Sequence, residues 1–222
     1  MTEYLRRAAA PRTVVALSRW RAPQQTLGRL RRLLGLRPRI ELFFAYDDPY
    51  SALALPGLIV IAESHGAVLA LRPLLERGID GDPAAAQRRH HAVVDSQRLA
   101  QRDGRALSRG APLTPEAVAF LAEWTAAAQD RPGIAAFAAA ALHRLWFQSD
   151  GSVNRDDYAA LYRRHLGEAP ANVPAAPTVA RNRARLLKLG HWESPAAYVG
   201  GEWFFAHERL PQIDACLRAL ES

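Results

Sequence analysis

The sequence predicts an α/β fold whose strands lie near its two ends, separated by a long helical stretch. Three observations carry this. A strand-like run, Arg39–Tyr46, is followed by a helix-like run and a second strand, Val68–Pro73. From about Pro83 to Gly190 nearly every segment has helical periodicity. Two short apolar runs then flank Gly200-Gly201 ahead of a last amphipathic segment.

Taken in order, Arg39-Ile40-Glu41-Leu42-Phe43-Phe44-Ala45-Tyr46 reads as a strand and Pro49–His65 as a helix stopped by Gly66. Strand, helix, strand implies a right-handed parallel crossover. Helices are expected over Ala85–Arg102, Pro115–Gln129 (opened by Thr114-Pro115), Ile134–Gln148 and Arg155–Leu166. The Ala- and Pro-rich Glu168–Pro177 reads as a loop into a helix, Thr178–Leu189. Ala196–Val199 and Glu202–Ala206 around Gly200-Gly201 read as a tight hairpin, and Leu210–Leu220 as the closing helix. The layout is thioredoxin-like, with a large all-helical insertion (83–189) between the βαβ half (39–82) and the ββα half (190–222), preceded by a basic helical arm (1–38).

At 222 residues the chain can bury one sizeable core or a core with an insertion. Its single cysteine, Cys216, excludes an intrachain disulfide or a cysteine-built metal site. No run approaches the ~18 apolar residues of a membrane span, and the N-terminus lacks the apolar core of a secretory signal, so a cytoplasmic protein is expected. The net charge of +7 is concentrated at the start: residues 1–40 hold ten arginines against Glu3 alone. Leu27, Leu30, Leu33 and Leu34 fall on one stripe there. The arm is expected to dock that stripe on the body and to solvate its arginines, rather than to bind nucleic acid or an anionic membrane.

The stretch FAYDDPYSALAL, Phe44–Leu55, joins the first strand to the first helix. Asp48 followed by Pro49 is a strong helix-start pair, because the carboxylate accepts orphan backbone N–H groups and proline needs no donor there. A carboxylate at such a corner is also a candidate general base, so capping and catalysis both remain open for Asp48. Asp47 reads as a solvated turn residue. No third carboxylate or imidazole lies near the pair in sequence, and no metal site is expected. Asp95 and Arg98, at i, i+3, fit an intrahelical ion pair. His191 and Trp192 are candidates to line a cleft, while His90-His91 straddle a helix face. Tyr50, Trp146 and Trp203 read as core or wall residues.

Four motifs recur in order. Asp48-Pro49-Tyr50-Ser51 follows the strand; Asp95 and Arg98 form an Asp-x-x-Arg; Asn182, Gly190 and Pro195 form an Asn, Gly, Pro series; and Ala206-His207-Glu208-Arg209-Leu210 follows the hairpin. Over roughly residues 39–220 the chain resembles the DsbA-like thioredoxin superfamily, within it the branch of 2-hydroxychromene-2-carboxylate isomerases and kappa-class glutathione transferases. There the first motif is Ser-Pro-Tyr-Ser and the last Gly-x-Asp-Arg-Leu.

The resemblance implies a cleft at the start of the first helix, facing a cis-proline loop at Ser194-Pro195 whose backbone pairs with a peptide-like ligand such as glutathione. It implies ligand contacts for Tyr50, Ser51, Asn182, Ser194, Pro195, Glu208 and Arg209, and a homodimer as a frequent state. Asp48 stands where that branch uses a serine hydroxyl and the disulfide-forming members a cysteine, so Cys-x-x-Cys chemistry is excluded. Two like charges about 4 Å apart at an effective dielectric near 20 repel by about 4 kcal/mol, enough to raise a thiol pKa by about three. Ionised Asp48 would therefore oppose a thiolate. Two readings follow: a glutathione-dependent isomerase or transferase acting on a small aromatic electrophile with Asp48 as base, or a non-catalytic peptide- or partner-binding module.

Overall fold

The computed structural model describes residues 26, 28, 30, 33–79, 81–148, 151–171 and 175–221. Strands β1 (Arg39–Ala45), β2 (Val68–Leu74), β3 (Ala196–Val199) and β4 (Glu202–Phe205) form one sheet in the order β2-β1-β3-β4. β1 and β2 run parallel, with Ile40 opposite Leu69 and Phe44 opposite Pro73. β3 returns antiparallel to β1. It turns into β4 through Gly200 and Gly201, both at positive φ (59° and 94°), which a two-residue hairpin of this twist requires.

Helix α1 (Pro49–Ser64) makes the crossover and α7 (Leu210–Glu221) packs beside it. Side chains alternate along β1. Ile40, Leu42 and Phe44 enter the main core with Leu55 and Leu58 of α1 and Ile213, Cys216 and Leu217 of α7. Phe43 and Ala45 pack in a second cluster with Leu186 of α6 (Ala176–Lys188). Gly57 admits α7, since a Cβ there would meet Leu210 Cδ1 at 2.6 Å. Cys216 is a buried thiol in no disulfide, near the Val199 carbonyl, behaving as a small apolar residue.

The insertion holds α2 (Ala85–Arg102), α3 (Pro115–Ala127), α4 (Ile134–His143), α5 (Arg155–Leu166) and α6. α4 runs on into a turn of π-helix, Arg144–Gln148, so the expected helix Ile134–Gln148 has two geometries. Trp146 in that turn is fully buried, and its indole N–H donates to the Tyr46 carbonyl at 3.1 Å. The Tyr46 hydroxyl lies 2.6 Å from Thr125 Oγ1 of α3. These two bonds clamp the insertion to the residue immediately before Asp47-Asp48. They fix the corner on which the candidate chemistry depends.

The arm departs from expectation. Leu27 and all of residues 1–25 lie outside the described residues, but Leu30, Leu33 and Leu34 are 54%, 85% and 65% exposed rather than docked. Gly28 is the buried residue, set against the Leu220 backbone of α7 so closely that a Cβ would not fit. At about 100° per residue, Leu30 and Leu33 point about 160° and 140° away from Gly28. The contact that needs no side chain decides which way the helix faces. Among the described residues no helix is long and apolar enough to cross a membrane.

Candidate functional site

Asp48 caps α1 in extended geometry (φ −107°, ψ 110°), with Pro49 at the first helical position. Its Oδ1 accepts from Tyr50 N at 3.2 Å and its Oδ2 from Ser51 Oγ at 2.9 Å. Ser51 Oγ in turn accepts from Ala45 N, so the last residue of β1 is tied to the first turn of α1. Asp48 and Ser51 are both fully buried. The capping role is present, but the burial is more than a cap needs.

Asp47 is not a solvated turn residue; it is 3% exposed and accepts from the backbone N–H of Arg77 at 3.2 Å. The reason is the loop after β2, which folds back over the corner and presents an unpaired amide there. Arg77 then reaches into the site: its Nε is 3.8 Å from Asp48 Oδ1 and 3.3 Å from Glu193 Oε1, and its guanidinium lies over the Tyr50 ring. Burial pushes the Asp48 pKa up to about 7, the nearby Arg77 only partly opposing it. Burial and the neighbouring Asp48 charge push Asp47 to about 8, against the pull of the Arg77 amide. Asp48, which has the cation, is the first of the pair to ionise. Burial works against the charge of Arg77, but Asp48 and Glu193 outweigh it and keep the guanidinium protonated.

The Ser194–Pro195 bond is cis, as the resemblance implied. Ser194 N donates to Glu193 Oε1 at 3.1 Å, and the Pro195 carbonyl accepts from Ala206 N at 3.0 Å. Through Glu193 and Arg77 this loop is joined to the N-terminus of α1. Ser194 Oγ is buried without a hydrogen-bond partner.

Tyr50 donates its hydroxyl to Asp95 Oδ2 at 2.7 Å, so Asp95 buttresses α1 from α2 instead of pairing with Arg98. Burial, reinforced by Asp95, raises the Tyr50 pKa and keeps the phenol protonated. His207 stacks on the Tyr50 ring with centroids 4.2 Å apart. Burial lowers its pKa, leaving a neutral imidazole. Glu208, 3.6 Å from His207, and Arg209, 3.9 Å from Glu208, are exposed at the rim.

Asn182 belongs to the scaffold. Its Nδ2 donates to the Pro73 carbonyl at 3.0 Å and lies 3.5 Å from Gln129 Oε1, holding α6 to β2, and it makes no described bond to the corner. His191 is buried in an aromatic cluster with Trp203 and Phe205, while Trp192 is half-exposed beside it. His90 and His91 are both exposed on α2. Among the described residues no group of three or more histidine, cysteine, aspartate or glutamate side chains is placed to hold a metal ion.

The sequence reading missed Arg77, Glu193 and His207. Glu193 adjoins Ser194-Pro195 and His207 stands inside the Ala206–Leu210 motif, and that placement was the available signal. Arg77 had none.

No protein-family model matches the chain, and no curated protein matches it in sequence. Solved structures do match. A 2-hydroxychromene-2-carboxylate isomerase is similar at a TM-score of 0.63 and 18% identity, over 81% of this chain and 94% of that one. A probable DsbA oxidoreductase from Streptomyces coelicolor gives 0.60 and 15%, over 82% and 90%. A cytosolic disulfide reductase, DsbM, from Pseudomonas aeruginosa with GSH gives 0.53 and 19%, over 82% and 97%. The chain has the DsbA-like thioredoxin fold. At these identities the likeness carries the fold alone. Within this DsbA-like frame, the helix start that would carry Cys-x-x-Cys reads Asp-Pro-Tyr-Ser, and the lone cysteine is in the core.

Proposed function

We propose that this DsbA-like protein is a glutathione-linked isomerase or transferase acting on a small conjugated, aromatic electrophile, with Asp48 as its proton carrier. One observation carries the reading: Asp48 is fully buried at the N-terminus of α1 with its pKa near 7, and Arg77 and Glu193 link it to the cis-Pro195 loop. A cap works equally well in water, whereas a carboxyl group that gains and loses a proton near neutrality suits general acid–base work. The conflict between a carboxylate and a thiolate falls away for the protonated form. Neutral Asp48 offers an O–H to a sulfur as a serine does, and ionised Asp48 accepts the thiol proton.

An addition–elimination isomerisation fits this corner. As the C–S bond forms, the thiol proton passes to Asp48 and the substrate carries the electron pair as an enolate. When the C–S bond breaks the proton returns, so thiol and carboxylate are both regenerated. No electrons are gained or lost, in keeping with a chain that has no cysteine pair. The reading goes with a cytoplasmic location, where thiols stay reduced.

A second reading, a non-catalytic binding module, is favoured by the closure of the corner: Asp48, Ser51 and Ser194 are at most 2% exposed, and Arg77 lies across the entrance. Calorimetric titration with glutathione separates the two. The enzyme reading expects wild type to bind, and Asp48→Asn to keep affinity within about threefold while turnover of an electrophile falls about 10²-fold or more. Absent binding by wild type, with binding gained in Asp48→Ser, would leave only the binding module.

A further inference from the structure

We infer that Arg183 is a positioning residue for the Asp48 corner, a bridge between the two loops whose side chains meet across Asp48. Its Nη2 donates to the Gly78 carbonyl at 2.7 Å and its Nη1 to the Trp192 carbonyl at 3.1 Å. Gly78 directly follows Arg77 in the loop after β2, and Trp192 directly precedes Glu193 in the loop before β3. One guanidinium therefore holds both backbones beside the pair that closes the corner, Arg77 Nε and Glu193 Oε1 at 3.3 Å.

Each loop is pinned within itself as well. The Arg77 N–H is held by Asp47, and the Glu193 N–H donates to His191 Nδ1 at 3.1 Å. What Arg183 adds is the spacing between the loops. It projects from α6, which is seated on the sheet by Leu186, buried against Phe43 and Ala45. A planar fork with donors on separate nitrogens suits two carbonyls at once, whereas a lysine ammonium is a single point.

The groups around Asp48 show what the spacing controls. Asp47 adjoins it, with Glu76 and Arg89 acting on Asp47, and Ser51 and the Tyr50 N–H bond it from α1. Arg77 reaches it from the loop after β2, Glu193 stands beyond Arg77, and Asp95 of α2 and His207 after β4 touch Tyr50. Burial raises the Asp48 pKa, the Arg77 charge is the main force against it, and Glu193 pushes upward more weakly. Without the bridge Arg77 retreats, and Asp48 keeps its proton to higher pH. This linkage needs no glutathione; only its consequence for turnover rests on the proposed role of Asp48 as proton carrier.

The test follows the Asp48 carboxyl carbon by NMR in the isotope-labelled full chain, its signal identified by loss in Asp48→Asn, as pH is raised through neutrality. Arg183→Met is expected to raise the Asp48 midpoint by about one pH unit, part of what a charge about 4 Å away exerts. Arg183→Lys is expected to raise it comparably, because it keeps the charge but not the fork, and it carries the test alone if Arg183→Met does not fold. Arg181→Met, which removes a cation of the same helix that bonds Thr178 Oγ1 instead, should leave the midpoint unchanged. In an Arg77→Met background, where the midpoint is already raised, Arg183→Met should add no further rise. Three results each overturn the inference: a midpoint that neither Arg183 variant moves, a wild-type midpoint in Arg183→Lys, or a further rise in the Arg77→Met background. Calorimetric titration with glutathione keeps the two conclusions apart. A moved midpoint in a protein whose wild type does not bind glutathione sustains the bridge and ends the proposed function; glutathione binding with an unmoved midpoint does the reverse.

Discussion

Two buried carboxylates, Glu41 on β1 and Asp48 just past its end, are held in opposite ways. Glu41, 7% exposed, accepts from Arg185 Nε and Nη2 at 2.7 and 2.6 Å, and Arg72 Nε lies 3.5 Å away. Burial raises its pKa, but the Arg185 hydrogen bonds and the arginine charges more than offset that, and the net shift is downward. Asp48 has one guanidinium at 3.8 Å, shared with Glu193, and its pKa rises to about 7. A forked arginine pair is how a fold fixes a charge in place. Sharing one cation among several acids leaves a charge free to change. That contrast separates scaffold from candidate chemistry more sharply than burial does.

The largest expected effect is a pH dependence of opposite sign at the two sites. The folded pKa of Asp48 is raised from 3.8 to about 7, so its contribution to stability is fully present below about 4 and is lost as pH rises through 7. The change is up to about 4 kcal/mol at 1.4 kcal/mol per pH unit. Asp47, pushed to about 8, extends the loss. Glu41 has a lowered pKa and contributes above about 4.5, losing its contribution as pH falls. Urea unfolding at pH 5, 7 and 8.5 measures this. Asp48→Asn is expected to flatten the fall in stability between pH 5 and 7 and to raise stability at pH 8.5. An unchanged slope would place Asp48 with Glu41 as a fully compensated charge.

Next in size is Glu41→Gln. It leaves Arg185 and Arg72 facing a neutral amide and is expected to cost about 2 kcal/mol at pH 7, since hydrogen bonds to charged groups contribute about 1.5–3 kcal/mol each and Arg185 is half-exposed. Glutathione binding should not change. A loss of binding comparable to that of a corner variant would mean that the two carboxylates are coupled.

The same contrast marks what the sequence made legible. Alternation along β1, the Asp48-Pro49 start and Gly200-Gly201 are local signals, and each element they indicated is present within a few residues. The cis bond at Ser194-Pro195 was implied by the family resemblance alone, since nothing local in the sequence fixes the isomer. Arg77 was not legible, because its direction depends on Asp47 receiving a backbone N–H from a loop 30 residues away. The leucine stripe of the arm was legible as a stripe but not as a direction. Spacing shows that one side of a helix is apolar; a residue without a side chain, Gly28, settles which side meets the body.

Asn182 gives the smallest and most discriminating test. The family resemblance implied ligand contact for it, and the structure puts it on α6 with Arg185, its amide on the Pro73 carbonyl. Asn182→Ala strips a hydrogen bond from a buried carbonyl and is expected to cost about 1–2 kcal/mol, read as a lower urea midpoint at unchanged slope. Because no titrating group is involved, the loss should be equal at pH 5 and pH 8.5, unlike that of any corner variant. Glutathione affinity should stay within about twofold. If affinity instead fell tenfold while stability held, Asn182 would belong to the ligand, and the boundary between scaffold and corner would lie one helix farther out than the hydrogen bonds place it.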